Sequence, residues 1–262
     1  MAEGRPRHPN EKRFEDFFEE EKYVRLKNYL YNYRIRKSLV SKSVGAGAPR
    51  RVLEIGAGLS PMITDRDGVV YSELSFRALA NLRQHQQRGE FVVADCTRLP
   101  FVDGAFSHVV CSEVIEHVEN DVEALREASR VLAPDGALCL TVPHRRFYFA
   151  ADDRYVRHFR RYELDEVIEK LSRAGLEPLA VRKVLGPLEK IVMFSTVMAF
   201  SLIQRAAPRR RGAGGNWIAA LAPLFNAANI VLMGLARLDA AIMPRSLATV
   251  LFIRAAKRTS SP

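Results

Sequence analysis

Cysteine is scarce in this chain, and acid is scarce at one end of it. Only Cys96, Cys111 and Cys139 occur, each in or beside an apolar run, and no two form a C-x-x-C pair. That argues against a disulfide framework and against a zinc site, and no metal site is expected. The first ten residues lack the apolar core of a signal peptide, so a reducing, cytoplasmic setting is expected. Residues 190–262 hold one acidic side chain against 10 basic ones, whereas residues 1–48 carry 7 and 11, and residues 49–189 carry 22 and 19. The net charge of +10 therefore sits at the two ends, which excludes the uniformly basic coat of a general nucleic-acid binder. Charge is missing altogether from residues 191–204 and 212–236. With 27% charged and 48% apolar residues the chain is globular rather than disordered, and 262 residues suit one large α/β domain with additions.

Composition divides the chain into four parts. Residues 1–48 begin with a polar tail (1–10) and continue with a helix or helix pair over 11–42, where Phe14, Phe17, Phe18, Tyr23, Leu26, Tyr29, Leu30 and Tyr33 recur at roughly helical spacing. A Gly/Ala/Pro linker follows at 44–49. Residues 49–186 alternate short apolar runs with amphipathic segments. Strands are expected at Arg51–Ile55, Val69–Tyr71, Phe91–Ala94, Phe106–Cys111, Ala137–Val142 and Leu176–Val184, with helices at Phe76–Gln87, Asn120–Leu132 and Glu163–Ala174. The second helix is expected to start at an Asn120/Asp121 cap and to stop before Ala133-Pro134-Asp135-Gly136. A β-α-β-α succession implies parallel strands joined by right-handed crossovers. Residues 187–245 form an insertion before a last strand at Leu247–Ile253, within a closing part at 246–262.

Val52–Gly58 reads as an apolar strand that carries Glu54 and ends in a G-x-G turn, where missing Cβ atoms let a ligand approach the backbone. A nicotinamide-binding G-x-G-x-x-G would need glycine at 61, and the chain has Pro61. Glu73 follows the second strand, where a carboxylate can accept two ribose hydroxyls, and Asp95 follows the third, suited to an adenine amino group.

With Tyr71–Ser75, Ala94–Phe101, Phe106–Val118 and Glu127–Gly136 in this order, residues 50–184 and the final strand resemble the class I S-adenosylmethionine (SAM) dependent methyltransferases, in the type 11 group that includes ubiquinone and menaquinone biosynthesis enzymes. The resemblance implies a Rossmann-like, doubly wound, seven-stranded and mostly parallel sheet, here with an N-terminal helical segment and a helical insertion before the last strand. It also implies an enzyme with SAM as cofactor. Gly56 and Gly58 would face the methionine part with Glu54 beneath, Glu73 would bind the ribose, and Asp95 and the Cys96 backbone would hold the adenine. Ser112 and Glu113 would lie near the methionine end and the substrate. Two departures stand out. Glu73 replaces the commoner Asp, and the stretch from Gly58 to Glu73 leaves little room for a first helix, although Ser60-Pro61-Met62 could give one turn facing the cofactor carboxylate.

Methyl transfer needs an aligned nucleophile first, and a hydroxyl acceptor also benefits from a base. His117 and His144, each just past a strand, are the candidate bases. His158, Glu113 and Arg145 are candidate substrate contacts. Arg145–Arg161 holds six arginines and five aromatics, and reads either as a clamp for an anionic substrate or as a solvated loop paired with Asp152, Asp153 and Glu163. The insertion has three readings: packing on the core or a partner, a lid or tunnel for a greasy substrate, or a peripheral contact with the anionic inner face of a membrane through the basic segment 205–211. The expected activity is O-methylation of a small or lipid-linked acceptor (quinone-like, polyprenyl-linked or glycan). A non-catalytic SAM-fold module docking a membrane partner is an alternative. So is an RNA methyltransferase, which the acidic balance of residues 49–189 disfavours.

Overall fold

The structure, a computed structural model, describes residues 28–45, 51–86, 88–206 and 216–258. The expected tail, the helix over 11–27, most of the linker and the triplet Arg209–Arg211 lie outside the described residues. Helix α1 (Tyr31–Val44) is followed by β1 (Val52–Ile55), β2 (Val69–Glu73), α2 (Phe76–His85), β3 (Glu90–Val93), β4 (Phe106–Ser112), α3 (Asp121–Val131) and β5 (Leu132–Pro143). Then come α4 (Ala151–Tyr155), α5 (Leu164–Arg173), β6 (Leu176–Leu185), α6 (Pro187–Ala206), α7 (Asn216–Ile242) and β7 (Val250–Lys257). The seven strands lie in the order β3-β2-β1-β4-β5-β7-β6, with β7 alone antiparallel to its neighbours.

Alternation along the strands divides the core between two faces. Leu53, Val109, Cys111, Leu138, Leu140, Leu251 and Ile253 point to one side, under α3 and α5. Val52, Val110, Cys139, Val250 and Phe252 point to the other, under α1, α2 and α7. Both faces are buried, so the central strands read as continuous apolar runs, and each fully buried Val or Leu contributes about 1.5–3 kcal/mol. Chain direction turns outward from β1 to β3 and then restarts at β4 on the other side of β1. The carboxyl ends of β1 and β4 therefore flank the crevice where open α/β sheets bind ligands.

Three expected boundaries shift. No turn separates α3 from β5: Leu132 already pairs with Phe106 across a register shift, so Ala133–Gly136 is extended backbone. The last strand starts at Val250 because Arg245–Leu247 closes into a 3₁₀ turn. Residues 56–68 contain no helix, so the start of a first helix expected at Ser60-Pro61-Met62 does not form, although Ser60 and Met62 line the cavity described below. The Met62 and Ile63 amides donate instead to the buried Glu54 carboxylate at 2.6 and 3.0 Å.

Side-chain caps start two of the helices. Ser75 Oγ accepts the Ala78 amide, and Asn120 Oδ1 the Glu123 amide. On α3, Arg130 ties the helix to the Leu99–Asp103 loop. Its guanidinium donates to the carbonyls of Leu99 and Phe101 and to Asp103 and Glu127, while Glu127 accepts the Leu99 amide at 2.7 Å. These bonds to Arg130 hold the Glu127 carboxyl below its ordinary value. Its contribution is therefore present above the unfolded pKa of about 4.3 and is lost as pH falls below it. Arg130→Ala should lower stability by about 2 kcal/mol in urea titrations. The difference between wild type and Glu127→Gln should be largest at neutral pH and close in acid.

Candidate functional site

A cavity of about 520 Å³ opens at the carboxyl ends of β1 and β4. Its first half is built by the loops after β1, β2 and β3. Gly56 and Gly58 turn the chain at φ +66° and +54°. A Cβ on Gly56 would lie 2.5 Å from Val114 Cγ2, so only glycine lets the loops after β1 and β4 meet. Glu73 holds the turn, its carboxylate accepting the amides of Gly58 (3.0 Å) and Ser75 (3.1 Å). Asp95 accepts the Thr97 amide at 2.9 Å. Cys96 follows it, with burial pushing its thiol up to about 12, so it is no nucleophile at neutral pH. Glu54, Gly56, Gly58, Glu73, Asp95, Cys96 and Ser112 all line this cavity. Ser112 also shares a 2.8 Å hydrogen bond with Thr141.

The second half is polar and buried. Glu113 sits at φ +55°, a left-handed conformation that strains a non-glycine residue by about 1–3 kcal/mol, and pairs with Arg36 of α1 at 3.0 Å. Beyond it, a 3₁₀ turn (Ile115–His117) carries Glu116 inward and His117 to the cavity wall. The Phe159 amide donates to the Glu116 carbonyl at 2.9 Å, which brings His158 onto the same spot. The His117 and His158 rings meet edge to face with centroids 4.7 Å apart. His158 Nδ1 lies 2.9 Å from Asp153 Oδ1.

Asp153 is 1% exposed and also receives Arg161 (2.7 Å), Lys190 (2.6 Å) and the Ala150 amide (3.0 Å). Burial pushes its carboxyl up, but the bonds from His158, Arg161 and Lys190 outweigh that and hold it well below the usual range. Glu116 has no such set. It is fully buried, and burial with the neighbouring Glu113 pushes its carboxyl well above the ordinary value. Glu189 of α6, also on the cavity wall, is pushed up by burial too.

Two expected residues lie elsewhere. His144 is 2% exposed and outside the cavity lining. Its Nδ1 lies 2.8 Å from the Ala248 carbonyl and its amide donates to the Thr249 carbonyl, so it fastens β5 to the start of β7 and is not brought together with His117. Burial lowers its pKa, which suits a neutral ring. Arg145 is also outside the lining: it pairs with Glu163 at 2.7 Å and packs over Phe147. Arg146, Arg160 and Arg161 are likewise held by Glu166, Asp121 and Asp153, so four arginines of the loop serve local carboxylates rather than an anionic ligand. Conversely, Asn32, Tyr33 and Arg36 of α1, and Glu189 and Met193 of α6, line the cavity without having been singled out. Periodicity marks such residues only as members of a helix. Glu116 and Asp153 were readable as neighbours of His117 and His158, but their burial was not.

Residues 53–140 match the family described as the methyltransferase domain. The match covers about a third of the chain. A demethylmenaquinone methyltransferase of Beutenbergia cavernae is 34% identical over 109 residues, covering 40% of this chain and 45% of that protein. A malonyl-[acyl-carrier protein] O-methyltransferase of Legionella pneumophila is 31% identical over 103 residues, covering 36% of each. The match thus spans less than half the length of either curated relative. A Haloferax volcanii methyltransferase solved in complex with the Trm112 activator shares the fold at TM-score 0.63 and 15% identity, over 96% of this chain and 99% of that one.

Asp153 links three elements and should be sensitive. Asp153→Asn leaves Lys190 and Arg161 buried without their shared anion and should destabilise by about 3 kcal/mol, read from the urea midpoint.

Proposed function

We propose that the protein transfers the methyl group of SAM to an oxygen of a small or lipid-linked acceptor. The observation that carries this is one continuous cavity, with a glycine turn and two strand-end carboxylates at one end and a histidine–carboxylate cluster at the other. The residues fit the cofactor. Gly56 and Gly58 leave a cradle without side chains, Glu73 is pinned with its carboxylate on the cavity wall, and Asp95 and Cys96 border the far end. Bound there, SAM supplies a sulfonium methyl group and a neutral thioether leaving group.

The chain's own residues then orient the acceptor and exclude water. Arg36 and Glu113 fix one wall, and His117 and His158 face the acceptor from another. Tyr33 closes the loop side by donating to the Pro61 carbonyl at 2.8 Å. Alignment in such a pocket supplies most of the acceleration for a reaction of this kind. Arg36, Arg161 and Lys190 are matched one for one by Glu113, Asp152 and Asp153, and burial pushes the Glu116 and Glu189 carboxyls up, so this half has no spare cation for an anionic acceptor, which favours a neutral one.

A peripheral membrane contact is the finer part of the proposal. Leu224, Val231, Leu235, Leu238 and Ile242 form an exposed stripe on α7, and Ile191, Phe194 and Met198 one on α6. Pro223–Ile242 is long and apolar enough to cross a bilayer, but Asn229, Ala236 and Ala240 are buried on its inner face, so it is read as lying flat on lipid. The basic segment 205–211 supplies charge for anionic headgroups.

Calorimetry should find SAM binding in the micromolar range, and Asp95→Ala should weaken it about tenfold with an unchanged circular dichroism spectrum. Folded wild-type protein that binds no SAM excludes the activity. In flotation, the protein should rise with phosphatidylglycerol vesicles, and Val231→Glu with Leu235→Glu should abolish this. A wild type that stays in the dense fraction excludes the lipid contact alone.

A further inference from the structure

We propose that Glu116, His117 and His158 bind one divalent first-row transition-metal ion, with its open coordination positions facing the acceptor half of the cavity. One ligand atom from each of the three lies within 4.8 Å of the others. Two imidazoles and a carboxylate are a donor set such ions accept as three protein ligands, leaving room for water or substrate. His117 and His158 line the cavity while Glu116 approaches from beneath, so the open side is the side an acceptor would occupy.

Two further observations point to a cation. First, Glu116 is 0% exposed, and neither carboxylate oxygen has a hydrogen-bond partner among the described residues. Arg36, the guanidinium nearest in charge, is spent on Glu113. A buried carboxylate without donors is strongly disfavoured, and a protonated one would still lack an acceptor. An ion on its oxygens removes both problems. Second, His158 is already oriented as a ligand. Its Nδ1 side is taken by Asp153, which leaves Nε2 3.8 Å from Glu116 Oε1. Asp153 is itself locked by Arg161 and Lys190, giving the carboxylate–histidine arrangement that fixes a metal-binding ring. The 2.9 Å hydrogen bond from the Phe159 amide to the Glu116 carbonyl holds the two segments together.

The role of the ion rests on the methyl-transfer reading, although its binding does not. An acceptor hydroxyl on the open side would lose its proton to water more readily. The oxygen lone pair then forms the new O–C bond as the C–S bond breaks, and the thioether leaves with that bond's electrons.

The test uses untagged, full-length, chelator-stripped protein titrated with Co²⁺ under visible absorption. We expect one equivalent bound in the micromolar range or tighter, with ligand-field bands. Glu116→Gln and His158→Asn should each weaken binding at least about tenfold, while calorimetric affinity for S-adenosylhomocysteine stays unchanged. If His158→Asn fails to fold through its tie to Asp153, Glu116→Gln alone decides. A folded wild type with no Co²⁺ bands, or bands equally strong in both variants, overturns the proposal. Co²⁺ binding without S-adenosylhomocysteine binding leaves the site standing and removes the methyl-transfer reading instead.

Discussion

The Asp153 carboxylate is the constraint on which the acceptor side of this protein depends. Four donors converge on it: His158 and Arg161 from the loop after α4, the Ala150 amide at the start of α4, and Lys190 from α6. Buried ion pairs are poor sources of net stability, because desolvation of each charge offsets most of their attraction. What such a cluster supplies is a single arrangement. A chain that lets go of Asp153 leaves the buried Arg161 without its carboxylate and Lys190 with Asp152 alone, so the loop, α4 and α6 are held in one docked arrangement. The ring orientation of His158 follows from that docking.

The same logic ties the insertion to the site. Residues 190–262 have one acid, Asp239, and it accepts the Leu188 amide at 3.1 Å in the first turn of α6, where an anion meets the positive helix end. Gly186 is small because Asp239 sits against it, 2.3 Å from where a Cβ would be. Asn229 of α7 accepts the Tyr31 amide at 3.0 Å, which seats the start of α1. Helix α1 in turn delivers Asn32, Tyr33 and Arg36 to the cavity. The insertion thus shapes the site through hydrogen bonds at helix ends, while its outer faces stay apolar.

Much of the cofactor half was legible because local chemistry dictates it. Gly56 and Gly58 adopt positive φ, Glu73 and Asp95 follow strand ends, and alternation fixes which residues enter the core. The acceptor half was less legible, since it is assembled from distant segments. His144 follows a strand as His117 does, yet it turns to the Ala248 carbonyl because β7 runs antiparallel beside it. Nothing in the sequence separates Arg36 from the other arginines until α1 is placed over Glu113. The arginine-rich loop suggested an anion site, but each of four guanidiniums finds a carboxylate close by in the fold.

Charge explains why such a loop can border an acidic cavity. Guanidiniums outside the cavity are neutralised pairwise at short range, so little of their field reaches its interior. Within it, Glu113 is matched by Arg36, Asp152 by Lys190, and Asp153 by Lys190 and Arg161, which leaves Glu116 and Glu189 without an ion pair to Lys or Arg among the described residues. A cationic sulfonium, a neutral acceptor or a bound cation lowers the energy of that arrangement, and an added anion raises it. Of the basic residues in the two end segments, Arg36 and Lys190 reach this half and are paired there, with Glu113 and with Asp152 and Asp153. The surplus of +10 is therefore no guide to the interior, where Arg36, Arg161 and Lys190 are already taken by carboxylates.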